Sequence, residues 1–137
     1  MSTDIIELTE IMQKEIEHYF GNAVHSFQIS ELNADVNHLY FNMEFVAFDY
    51  FWVGIVYDRG RLNPYIIQGE HRLFLTHKGK IWWDDNLNLP LFVRFMFYNL
   101  YTRIPKRYLK DNDYIHSESE VMVMNENYKE FFKSIFS

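Results

Sequence analysis

The 137-residue chain contains no cysteine. A disulfide scaffold, a thiolate metal site and a cysteine nucleophile are therefore excluded, and the composition suits a reducing compartment. Only three prolines and five glycines occur, and no Pro-rich tract, linker or internal repeat divides the chain, so a single domain is expected. Long apolar runs are missing too. The stretches Phe45–Tyr57 and Leu87–Leu100 are interrupted by Asp49 and Arg94, and both are too short to cross a bilayer. The opening Met1-Ser2-Thr3-Asp4-Ile5-Ile6-Glu7 has neither the basic nor the apolar region of a secretory signal. These features lead to the expectation of a cytoplasmic protein.

Basic residues are outnumbered, 13 against 19 acidic, for a net charge of −6. An acidic surface repels nucleic-acid phosphates and anionic lipid and favours a basic partner. The catalytic signatures GxSxG, HExxH, DxDxDG and GxGxxG are absent, so the expectation is a non-enzyme without cofactor or metal.

Ring surface is plentiful: 13 Phe, 10 Tyr and 3 Trp make 19% of the chain. Each buried ring removes roughly 150–250 Å² from water. A modest number fills a core, and the rest lie partly exposed or line a groove or interface.

The apolar spacing predicts the elements. Asp4 and Glu7 form a capping-box-like pair ahead of an apolar stripe at Ile5, Leu8, Met12, Ile16, Tyr19 and Phe20, with Gly21 as C-cap. Phe27–Ser30 reads as an edge strand. His38–Phe48 alternates, with Phe41, Met43 and Phe45 on one face and Tyr40, Asn42 and Glu44 on the other, as in a half-buried antiparallel strand. Tyr50–Tyr57 is apolar on both faces, as expected of a central strand covered on both sides, and Asp58-Arg59-Gly60 signals a hairpin turn. Leu62–Gln68 follows, where Pro64 implies an edge or a bulge. Arg72–Thr76 and Lys80–Trp83 read as a last hairpin around His77-Lys78-Gly79. Asn88 and Pro90 open a helix that ends before Pro105. Ser117-Glu118-Ser119-Glu120 is a second capping box, opening a helix through Val121, Met124, Tyr128, Phe131, Phe132 and Ile135. The expected fold is α+β: an N-terminal helix, an antiparallel meander of about five strands, and two C-terminal helices packed on the sheet.

Candidate chemistry is thin. His71 lies between Glu70 and Arg72, with His77 six positions on, but an ordinary charged turn accounts for both better than a metal site does. Asp58-Arg59-Gly60-Arg61 lacks the glycine spacing and Lys-Ser/Thr of a phosphate loop. Trp82, Trp83, Asp84 and Asp85 combine rings with adjacent carboxylates. Neighbours on a strand point to opposite faces, so one Trp is expected at the surface, where Trp serves as an interface anchor. A second acidic set, Asp111, Asp113, Glu118 and Glu120, follows the basic cluster Arg103, Lys106, Arg107 and Lys110. Cations at one helix end and anions at the next helix start suit the helix dipoles, and the acidic set doubles as a docking surface for a basic protein.

The stretch Phe48-Asp49-Tyr50-Phe51-Trp52-Val53-Gly54-Ile55-Val56-Tyr57-Asp58-Arg59-Gly60-Arg61 resembles the central hairpin of bacterial immunity proteins of contact-dependent and other polymorphic toxin systems. The likeness is one of character over most of the chain and assigns no individual residue. It implies a cognate toxin domain, often a nuclease with a basic cleft, blocked in a one-to-one complex in the cytoplasm, with the chain alone a monomer or weak dimer. Two other readings stand beside it: a homodimeric chaperone of the type III secretion class, and a ligand-binding protein or enzyme with a pocket between sheet and helices.

Overall fold

The computed structural model describes residues 4–77 and 79–135. The chain divides into two compact units, Met1–Leu87 and Asn88–Ser137.

The first unit opens with α1, Ile5–Phe20, capped where the sequence indicates. Asp4 Oδ1 accepts from Ile6 N at 2.8 Å, and Gly21 ends the helix at φ 59°, a conformation that glycine adopts without a Cβ clash. The buried stripe is Ile5, Thr9, Met12, Ile16 and Phe20. A short 3₁₀ turn, Gly21–Ala23, leads into a meander of β1 (Val24–Asn33), β2 (Tyr40–Ala47), β3 (Phe51–Asp58), β4 (Arg61–Gln68) and β5 (His71–Phe74), all antiparallel neighbours in chain order. Helix α1 touches β1 and β2, and its Phe20 ring meets Phe45 and Phe48. On that side of the sheet Phe41, Met43, Phe45, Val53, Ile55, Leu62 and Ile66 are buried.

The β3–β4 turn falls at Arg59 and Gly60, with φ 50° and 98° between paired Asp58 and Arg61. Two central residues at positive φ mark the primed turns that match strand twist.

The last strands depart from expectation. They do not form a hairpin with each other. Strand β6, Ile81–Trp82, pairs with Leu62 and Arg61, while β5 pairs with Tyr65–Gln68 along the same edge of β4. Pro64 lies in the gap between them, and its carbonyl accepts from Leu75 N at 2.9 Å. In an extended strand a residue's N–H and C=O point to the same side. The donor that proline lacks is therefore on this outer edge, and the β3 ladder is unharmed. The segment between β5 and β6 goes around this point, and its expected turn residue Lys78 lies outside the described residues.

In the second unit α2 spans Leu89–Tyr101. Asn88 Oδ1 accepts from Leu91 N, and Pro90 sits in the first turn. Beyond Pro105 the chain forms an additional short helix, α3 (Lys106–Asp111), before α4 (Glu118–Ile135). The basic cluster is thus not the end of α2: Lys106, Arg107 and Lys110 belong to α3, because Pro105 starts a helix as well as ending one. Helix α4 is continuous, and its capping box forms in both directions. Ser117 Oγ accepts from Glu120 N at 3.2 Å, and Glu120 Oε1 accepts from Ser117 N at 3.1 Å. Rings join α2 to α4 through Phe92–Phe131, Phe95–Phe131, Phe95–Tyr128 and Tyr98–Tyr128.

Candidate functional site: the outer face of the sheet

Strand register sorts the side chains of the first unit. The face opposite the Phe41–Phe45 side carries cross-strand rows: Tyr40–Asp58–Arg61–Trp82, Asn42–Val56–Asn63, and Gln28–Glu44–Gly54–Tyr65–Phe74. Alternation places Asn42 in water, yet it is 1% exposed. It is buried because its polar groups are answered within the face. Tyr65 Oη donates to Asn42 Oδ1 at 2.6 Å, and Asn42 Nδ2 donates to Ser30 Oγ at 2.8 Å. Ser30 reaches Asn42 because β1 carries an irregularity between Ile29 and Glu31, and an inserted residue re-aims its side chain. Glu44 Oε1 accepts from Gln28 Nε2. No buried side-chain nitrogen or oxygen among the described residues lacks a partner. Burial raises the Tyr65 hydroxyl above its ordinary pKa, against the opposing hydrogen bond to Asn42, so Tyr65 is a neutral donor.

Two arginines stand on rings of this face. Arg72 Cζ is 4.5 Å from the Tyr65 ring and Arg61 Cζ is 4.4 Å from the Trp82 ring, each within cation–π range. Trp52 is 47% and Trp82 48% exposed. The expectation that β3 is covered on both faces thus fails at Trp52, because the Tyr65–Asn42 layer shelters Gly54 and Val56 and stops short of it. A cleft of about 540 Å³ opens among Asp58, Arg59, Arg61, Asn63, Gly79 and Trp82.

The first acidic set follows Trp82. Trp83 is half-buried, with its ring 6.0 Å from the Tyr57 ring and its backbone N–H donating to Gly60 O. Asp84 is committed to a turn, its Oδ1 accepting from Asn86 N at 2.9 Å. Asp85 is exposed. Of this set only Trp82 belongs to the outer face. The second set is in the second unit. Asp111 is 3.9 Å from Arg107, and Asp113 takes φ 60° in the turn after α3. Glu120 serves the α4 cap. The His116 imidazole, then the Ser117 amide and hydroxyl, hold its carboxyl at about 2 against an ordinary 4.5. Glu118 borders an apolar cleft of about 460 Å³ between Tyr101, Ile104, Leu109, Ile115 and Val121, rimmed by Lys106 and His116. That cleft lies within the second unit, a place the spacing of rings did not indicate.

A chain of groups absent from any sequence motif sits at the β1 edge. His25 contacts Asp49 Oδ1 through Nε2 at 2.5 Å and Ser26 Oγ through Nδ1 at 2.8 Å, with Ser26 at φ 61° beside a register shift. The His25 and Asp49 side chains are 51% and 59% exposed, so water competes for each group. Among the described residues no three His, Asp or Glu gather as a metal site, and no helix is long and apolar enough to cross a membrane.

No family model, curated protein or solved structure matches the chain.

Proposed function

We propose that the chain is a protein-binding module, an immunity protein that neutralises a cognate toxin domain by direct contact, and that the outer face of its sheet makes that contact. The observation carrying the reading is the side-chain set on that face. Trp52, Trp82, Arg61 and Arg72 are exposed, and Trp, Tyr and Arg dominate interface energetics. They stand on a layer whose buried polar groups are mutually satisfied, so little order has to be imposed when a partner docks. Trp52 and Trp82 mark opposite ends of the face, about 20 Å apart at the rise of a strand, a span suited to an ordinary protein interface.

The acidic balance of the chain supports a basic partner, because opposite net charge speeds encounter. Asp85, Asp113 and Glu118 are exposed and contribute to that long-range field. The test is capture of the partner by the full chain, repeated with Trp52→Ser and Trp82→Ser. One dominant basic protein, lost with these changes, supports the reading. Capture of several secreted proteins by a dimer would replace it with the chaperone reading.

The apolar cleft of the second unit favours a second reading, a small apolar ligand held among Tyr101, Ile104 and Leu109. A compound library that raises Tm only when Ile104 is intact would establish it.

A further inference from the structure

We infer that the cleft around Arg61 is a binding site for a small molecule bearing a carboxylate or phosphate group. The inference stands apart from the protein-binding reading: Arg61 and Trp82 also belong to the proposed docking face, but the cleft they line needs no partner chain to be complete.

The charge arrangement comes first. Among the described residues Asp58 is the sole acidic one lining the cleft, and it is engaged twice, by Arg59 Nε at 2.9 Å and by His38 Nε2 at 3.4 Å. Arg61 has no carboxylate partner among the described residues. An otherwise acidic chain therefore leaves a guanidinium without an ion pair among the described residues facing a concavity. A carboxylate or phosphate is the group that matches its planar fork, through two parallel N–H···O bonds.

Positioning comes second. Arg61 is not a loose surface cation. It is paired in register with Trp82, and its guanidinium rests on the Trp82 ring. That ring is backed by the β3–β4 turn, since a Cβ at Gly60 would meet it at 3.5 Å. The Arg61 side chain is also flanked by Gly79, where a Cβ would meet its Nη1 at 3.5 Å, and Gly79 is tied down by Asn63, which is 2% exposed and accepts from Gly79 N through Oδ1 at 2.8 Å. Rotamer freedom that a free arginine loses on binding is already spent here.

Size comes third. The volume of about 540 Å³ falls within the range of roughly 300–1,000 Å³ typical of small-molecule sites. It is several times what a bare oxyanion needs. The ligand thus has a body as well as an anionic group, and the exposed part of Trp82 is the surface that body meets.

The test is a titration of ¹⁵N-labelled full chain with citrate, inorganic phosphate and adenosine monophosphate, at ionic strength held constant with chloride. Arginine Nε–H signals and Trp fluorescence are the readouts, and the Arg61 signal is assigned by its loss in Arg61→Gln. The site predicts saturable movement of Arg61 with at least one probe and not with chloride. Tighter binding of citrate would identify a carboxylate ligand. Tighter binding of phosphate or the nucleotide would identify a phosphate ligand, and tighter nucleotide than phosphate would place its ring on Trp82. Affinity should drop about tenfold or more in Arg61→Gln, the scale of a lost charge-assisted hydrogen-bond pair. Arg61→Lys, which keeps the charge without the fork, should fall between. Drifts that never saturate and are shared equally by Arg59, Arg61 and Arg72, or a saturable response that survives Arg61→Gln, would overturn the site.

Discussion

The Tyr65 ring occupies the space that a side chain at position 54 would need: a Cβ built on Gly54 would come within 2.1 Å of Tyr65 Cζ and 2.3 Å of its hydroxyl oxygen. The two residues are register partners on β3 and β4. Glycine in the middle of a central strand is unfavourable on propensity alone. Here it is the condition for Tyr65 to lie across β3 and reach Asn42 on β2, which unites three strands by one side chain.

Gly54→Ala should therefore destabilise the chain by about 1–3 kcal/mol, the range for overpacking a filled site. The cost should shrink when Tyr65 is truncated as well. In urea denaturation, the Gly54→Ala/Tyr65→Ala double variant should lose less than the sum of the two singles. Strict additivity would mean that the ring and the missing Cβ do not compete.

Removing only the Tyr65 hydroxyl isolates the polar layer. Tyr65→Phe keeps the ring over Gly54 and strips Asn42 Oδ1 of its donor. A buried acceptor left unpaired costs about 1–3 kcal/mol, so the midpoint of denaturation should fall while the slope is retained. Tyr65 also links this layer to pH. Its folded pKa is raised above the ordinary 10.0 by burial, so its contribution is complete below pH 10.0 and declines as pH rises beyond it. Tyr57 is raised by burial as well. Tyr65→Phe should accordingly flatten the alkaline loss of stability without removing it.

The α4 cap predicts the opposite pH sign. The folded pKa of Glu120 is depressed from 4.5 to about 2. Its contribution is thus present above pH 4.5 and is lost as pH falls toward 2. The carboxyl is exposed, so the effect belongs to the first turn of α4 and not to the whole chain. Ser117→Ala removes the reciprocal half of the box and should cost about 1 kcal/mol. In a ¹³C titration it should also move Glu120 up toward its ordinary value, and His116→Ala should do the same. An unmoved Glu120 in both variants would show that these hydrogen bonds do not hold it down.

These relationships show which parts of the chain were legible. Helix α1 could be bounded because its stop signals, Asp4 and Gly21, act within a few residues. The same holds for the Ser117–Glu120 box and the turn at Arg59-Gly60. Alternation places Asn42 on the polar face of β2 because it reports only which face a residue takes. Whether that face is wet depends on Tyr65, twenty-three positions away. Strand β6 is two residues long, too short for any period, and its partner is set by the gap that Pro64 leaves in the β4 edge. Helix α3 has no signal of its own, because Pro105 marks a stop in the sequence and serves also as a start. Of the residues on the proposed interface, Trp82 is one that residue type alone singles out. Trp52, Arg61 and Arg72 were not singled out, because their common face follows from a register that no local pattern encodes.

The proposed interface is tested most directly by comparing partner capture by the native chain and by a variant carrying Trp52→Ser and Arg72→Ser, two surface changes outside the lining of the Arg61 cleft, with both proteins first matched for Tm. The account predicts that the native chain retains one dominant basic protein bearing a toxic domain, and that the variant releases it. Equal retention by both proteins would contradict the assignment of the outer face as the docking surface, and retention of no protein by the native chain would contradict the binding function itself.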